Sequence, residues 1–103
     1  MAFKQVVIHS PGANWKAGAN FQEQPEEIVK EHVQHYSKLH ESGKLLLGGP
    51  FVDIDAGGMM IATEDVTRKE LEAFAAADPA VKAGLLSFEI KTWYVAMEKK
   101  ISL

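Results

Sequence analysis

The chain predicts an α+β domain of the ferredoxin-like kind, in which two helices cover one face of a four-stranded antiparallel sheet. Three observations predict it. Four runs rich in β-formers are spaced along the chain, and two helical stretches with their own start and stop signals fall after the first and third of them. The resulting order is β-α-β-β-α-β. The length of 103 residues suits one domain, so residues 1–103 are expected to fold as a single unit.

The first strand is expected over Phe3 to His9, where Phe3, Val6, Val7 and Ile8 are β-formers and Ser10-Pro11-Gly12 halts them. A polar, Gly-rich stretch from Pro11 to Gln24 follows, with Trp15 and Phe21 embedded in it. A connection that long is usually functional or disordered, and two aromatics argue against disorder. It is expected to fold over the mouth of a site. The first helix is expected over Pro25 to Ser42, with Pro25 at its start, Glu26 and Glu27 in the first turn, and Gly43 just past its end. At about 100° per residue, Ile28, Val29, Val33, Tyr36 and Leu39 share one face, and His32 falls in the middle of that stripe.

Lys44 to Asp53 reads as a second strand, interrupted at Gly48-Gly49-Pro50, where a bulge or a close backbone approach is expected. Asp53 to Gly58 has hairpin chemistry, and Met59 to Thr63 makes the third strand. Thr67 to Glu70 is a capping box opening the second helix, which must finish near Asp78 because Pro79 disfavours helix before it. Asp78 to Gly84 is a tight connector, and Leu86 to Met97 forms the last strand. The fold leaves the second face of the sheet bare, and the last strand is rich in aromatics. A second copy of the chain covers such a face economically, so a homodimer through the open sheet face is expected.

Composition narrows the function classes. The formal net charge is -3, which provides no field for a nucleic-acid backbone, and the one basic pair is Lys99-Lys100. Cysteine is absent, so a disulfide framework, a thiolate nucleophile and a Cys-ligated metal site are excluded. The opening residues lack a signal-peptide layout, and no apolar run approaches the roughly 18 residues of a membrane span. The expectation is a cytoplasmic protein with no nucleic-acid or membrane partner. No nucleophile elbow, phosphate loop or dinucleotide fingerprint is present, and the expected reaction uses no cofactor.

The residues from His32 onward carry a family resemblance. His32, then Leu39-His40-Glu41-Ser42-Gly43-Lys44-Leu45-Leu46, then Gly48-Gly49-Pro50, resembles the helix-to-strand signature of YciI-like (YCII-related) proteins. Gly57-Gly58-Met59-Met60-Ile61 resembles their third strand, Asp78-Pro79-Ala80-Val81-Lys82-Ala83-Gly84 their Asp-Pro-x-x-x-Ala-Gly motif, and Trp93 the bulky residue of their last strand. The resemblance implies a dimeric α/β-barrel relative of muconolactone isomerase. It also implies a catalytic His/Asp pair, which maps onto His32 and Asp78. One relative is a dehydrochlorinase acting on a chlorinated aromatic ring. The Pro11 to Gln24 loop departs from the shortest family members, so a substrate does not carry over.

The residues support the same pair on their own chemistry. An imidazole inside an apolar stripe needs a hydrogen-bond partner, and Asp78 leaves the second helix on the same side of the sheet. A base with a carboxylate to orient it would serve general acid–base catalysis on a small apolar or aromatic compound. The competing reading is a structural His–Asp bridge in a binding or accessory domain. Tyr36, one turn beyond His32, together with Gly49, Pro50, Phe51, Met59 and Trp93, is expected to line the ligand pocket, with plain packing as the alternative for each. His32 and His35 could share a metal ion, but no third ligand is apparent and no metal is expected. His9 reads as a solvated or packed strand-end residue.

Overall fold

The computed structural model describes residues 2–99, so Lys100 of the basic pair lies outside the described residues. The chain runs β1 (Ala2–Pro11), a 3-10 turn (Phe21–Glu23), α1 (Glu26–Glu41), β2 (Leu45–Pro50), β3 (Gly58–Ala62), α2 (Arg68–Ala76), α3 (Pro79–Lys82) and β4 (Leu86–Val95). The four strands form one antiparallel sheet in the order β2-β3-β1-β4. This is the expected ferredoxin-like arrangement. β1 is central, and its pairing with β4 extends from Ala2↔Val95 to Pro11↔Leu86.

Local chemistry accounts for the elements. Thr67 and Glu70 cap α2 reciprocally, and Gly43 takes φ of 80° just beyond α1. The connector after α2 winds into a helical turn, because Pro79 presets its first position and the Asp78 side chain accepts from the Ala80 N–H. The irregularity expected at Gly48-Gly49-Pro50 falls instead between Leu45 and Leu47. Those glycines stay in register with β3, and Gly48 gives clearance: a Cβ there would strike the Met60 sulfur.

Alternation along the strands sends Val7, Met60, Ala62 and Ile90 to the helix side, where they pack with Tyr36, Leu39, Leu71 and Ala75. A second cluster gathers Phe21, Ala80, Leu85 and Leu86, with Trp15, Ile28, Val29 and Val81 against it. The stretch from Gly12 to Gln24 closes over that cluster and is tied to itself. Buried Gln24 accepts from the Lys16 N–H at 2.7 Å and donates to the carbonyls of Lys16 and Asn20. Its far side is held by Asp55, whose carboxylate accepts from Trp15 Nε1 at 3.1 Å and Gly18 N–H at 2.9 Å. On the opposite sheet face, Val6, Ile8, Met59 and Trp93 line a shallow hollow of about 310 Å³. No described element covers them. No helix among the described residues is long and apolar enough to cross a membrane.

Candidate active site

Between the two apolar clusters lies a set of buried polar side chains drawn from three parts of the chain. β1 turns His9 toward the helices, since Val7 two residues earlier faces the same core. α1 contributes His32 and Tyr36, one turn apart on its buried face. The joint between α2 and α3 contributes Asp78, which has no exposed surface.

Asp78 is held at both ends. One carboxylate oxygen accepts from the Ala80 N–H at 2.9 Å, and the other meets His32 Nδ1 at 2.6 Å. The short helix α3 thereby fixes the rotamer of the group that orients His32. His32 Nδ1–H donates to Asp78, which leaves the lone pair on Nε2. Among the described residues Nε2 has no hydrogen-bond partner, and no buried side-chain nitrogen or oxygen is left unpaired, so Nε2 opens on the adjacent space. The ring is braced edge-on by Phe21, with centroids 5.1 Å apart, and at a tilt by Tyr36 at 5.2 Å.

His9 completes the cluster. Its Nδ1 lies 3.2 Å from the Ser87 carbonyl and its Nε2 lies 2.9 Å from the Tyr36 hydroxyl. Burial lowers the pKa of His9 from 6.5 to about 4, and the neighbouring His32 adds to the effect; the Ser87 carbonyl and the Asp78 charge oppose it. Burial raises the Tyr36 pKa, and the Asp78 charge raises it further. Tyr36 therefore stays a neutral phenol.

Of these groups, His32 and Tyr36 form the inner wall of an open cleft of about 610 Å³ between α1 and β2, and His9 and Asp78 stand behind them. Val29, Val33, Leu45 and Leu47 make its sides apolar, and Gln22, Ser37 and His40 supply polar groups. Such a balance suits a small, mostly apolar ligand. Tyr36, Gly49 and Pro50, expected at the pocket, line it. Met59 and Trp93 do not join them: the strand register puts both on the opposite sheet face. Phe51 lies past the end of β2, where its N–H closes the hairpin onto the Gly57 carbonyl, and it is not part of the cleft wall. The residue the sequence reading missed is His9. A lone imidazole beside Ser10-Pro11 reads as a strand end, whereas the pairing with β4 carries the strand through Pro11 and buries it.

A metal ion has one conceivable seat here. His9, His32 and Asp78 offer ligand atoms within 4.8 Å of one another. His32 and Asp78 already hold each other through a hydrogen bond, as do His9 and Tyr36. The pairing of His32 with His35 is not realised. His35 stacks on Phe74 at 3.9 Å and donates to the Phe74 carbonyl, away from His32.

Comparison with known proteins agrees with this fold. Among solved structures, the chain is similar to 5-chloro-2-hydroxyhydroquinone dehydrochlorinase (TftG) from Burkholderia phenoliruptrix AC1100, determined in complex with 2,5-dihydroxybenzoquinone. The match has a TM-score of 0.54 and 18% identity, and it covers 87% of this chain and 93% of that one. At that identity it establishes the shared fold. No curated protein matches in sequence. The YCII-related domain matches residues 6–94, from within β1 almost to the end of β4. The chain belongs to the YCII-related domain family.

Proposed function

We propose that this protein is a cofactor-free acid–base enzyme, an isomerase or a lyase of the dehydrochlorinase kind, acting on a small apolar or aromatic compound. The observation that carries the reading is the 2.6 Å contact between His32 Nδ1 and buried Asp78, with Nε2 free of any described partner beside the cleft. Asp78 sets the tautomer that makes Nε2 the base and stabilises the imidazolium once Nε2 has taken a proton. In an elimination on a non-aromatic keto tautomer of the ring, Nε2 removes a proton from a tetrahedral carbon next to the tetrahedral carbon that bears chlorine. The C–H electron pair becomes the new π bond, and chloride leaves the neighbouring carbon with its bonding pair. In an isomerisation, the imidazolium returns the proton to a different carbon. Tyr36, Gly49 and Pro50 hold the ring. The similar dehydrochlorinase, whose structure contains 2,5-dihydroxybenzoquinone, supports a six-membered ring as the ligand by analogy of fold.

The test is turnover by wild type and His32→Ala on a panel of chlorinated and unchlorinated hydroxybenzenes, read as chloride release and as exchange of ring protons for solvent deuterium. Loss of the base should lower the rate by about 10²–10⁴ with the far-UV circular dichroism unchanged. Equal rates in the two proteins would refute the reading. One observation favours a structural alternative: Asp78 also caps α3, so the pair joins α1 to that turn. On that reading the domain binds a small molecule without turnover, and His32→Ala lowers thermal stability alone. In either case the apolar face bearing Val6, Ile8, Met59 and Trp93 is proposed to seat a second copy, giving a cytoplasmic homodimer.

A further inference from the structure

The hydrogen bonds around His9 dictate which way the protons point at the inner wall of the cleft. The Ser87 carbonyl, 3.2 Å from His9 Nδ1, can only accept. Nδ1 must therefore carry the proton. Burial keeps the ring neutral, so Nε2 is a lone pair. The Tyr36 hydroxyl at 2.9 Å is then the donor in the His9–Tyr36 hydrogen bond. Its single proton is committed, and its oxygen has only lone pairs to offer. Beside it, Asp78 takes the Nδ1 proton of His32 and leaves a lone pair on His32 Nε2. Both rings belong to the wall of the same cleft, with centroids 5.2 Å apart.

We infer that His9 is a positioning residue which makes Tyr36 an obligate acceptor, so that the cleft selects a small ring presenting protonated hydroxyl donors to Tyr36 and to His32 Nε2. The inference rests on the reading of the cleft as the ligand site and narrows its ligand class. A carboxylate or phosphate would face two lone pairs with the Asp78 charge behind them. A ring ether would bring no proton to either acceptor. A neutral phenol or enol satisfies both. For the acid–base chemistry, the same hydroxyl that anchors the ring supplies a proton within reach of His32.

The test uses the intact protein with resorcinol as probe, against 1,3-dimethoxybenzene and benzoate of similar size. Imidazole ¹⁵N spectra of the wild type between pH 6 and 8 should show His9 protonated on Nδ1 and bare on Nε2. A proton on His9 Nε2 would overturn the inference. In equilibrium titrations, resorcinol should bind at least about tenfold more tightly than the dimethyl ether, the scale of one or two hydrogen bonds. Tyr36→Phe should remove much of that preference. His9→Leu frees the Tyr36 proton, so the ether should regain affinity while resorcinol changes little. Should His9→Leu fail to fold, the wild-type spectra and Tyr36→Phe still decide the matter. Equal binding of resorcinol and its ether, or no binding of resorcinol, would refute the selection. These readouts do not depend on turnover: undiminished rates in His32→Ala, together with the donor preference in the wild type, would refute the proposed chemistry and uphold the polarity of the cleft.

Discussion

Replacing His9 by glutamine should remove a pH dependence of stability whose sign follows from the burial of the ring. In the unfolded chain His9 takes up a proton near its ordinary pKa of 6.5, whereas burial lowers it to about 4 in the fold. Between those values the unfolded state binds the proton and the folded state does not, so stability falls as the pH falls. The stabilisation is fully present above 6.5 and is exhausted near 4. At about 1.36 kcal/mol per pH unit, the loss over that window is about 3 kcal/mol, a large share of the 5–15 kcal/mol typical of a domain. The groups facing the ring are Asp78 at 3.8 Å, with His32, Tyr36 and, farther off, His35. They are present in the variant as well, so the difference between the two proteins reports chiefly on His9. Urea unfolding followed by the fluorescence of Trp15 and Trp93 should show wild type the more stable at pH 7. The gap should then shrink by about 3 kcal/mol on going to pH 4. Curves that stay parallel would show that His9 is not held neutral by burial. A gap that widens on acidification would show that the fold protonates it, and the tautomer argument for Tyr36 would fall with it.

Three further outcomes follow from the same contacts. Asp78→Ala leaves both the His32 Nδ1–H and the α3 cap without an acceptor and should cost about 3 kcal/mol or more in urea unfolding, while Asp78→Asn, whose amide oxygen can still cap Ala80, should cost less. Gly57→Ala places a methyl group on the His9 carbonyl and should destabilise by about 1–3 kcal/mol, seen as a lowered thermal midpoint; an unchanged midpoint would mean that the hairpin yields without cost. Trp93→Lys on the bare sheet face should convert the proposed homodimer to monomer in light scattering with the circular dichroism retained, and a persistent dimer would place the interface elsewhere.

Much of the fold was legible because its signals are local. The Thr67–Glu70 capping box, Gly43 after the first helix and the Pro79 stop each act within a few residues, and the structure shows the corresponding boundaries there. The Asp78–His32 contact was legible as a need: a histidine in an apolar stripe required a partner, and one acidic residue emerged on the right side. What could not be read depends on strand register. Met59 and Met60 are neighbours in sequence, yet one faces the open hollow and the other the core, and nothing short of the Ile8↔Met59 pairing decides which. Trp93 was assigned to the pocket for the same reason. His9 looked like a strand end because the Ser-Pro-Gly that follows it is a turn signal; the ten-residue ladder between β1 and β4 overrides that signal.

That ladder also sets when the site can exist during folding. The carbonyl that fixes the His9 proton belongs to Ser87, 78 residues further along the chain, and the carboxylate that orients His32 is 46 residues from it. Contacts of such separation repay the entropy of loop closure late, after local helices and hairpins have formed. A chain that has made α1 and the β2–β3 hairpin but has not paired β1 with β4 contains His32 and Tyr36 with neither partner in place. Ligand binding is therefore a readout of that last pairing. A probe of the cleft would follow completion of the fold with less ambiguity than helical circular dichroism, which α1 alone can supply.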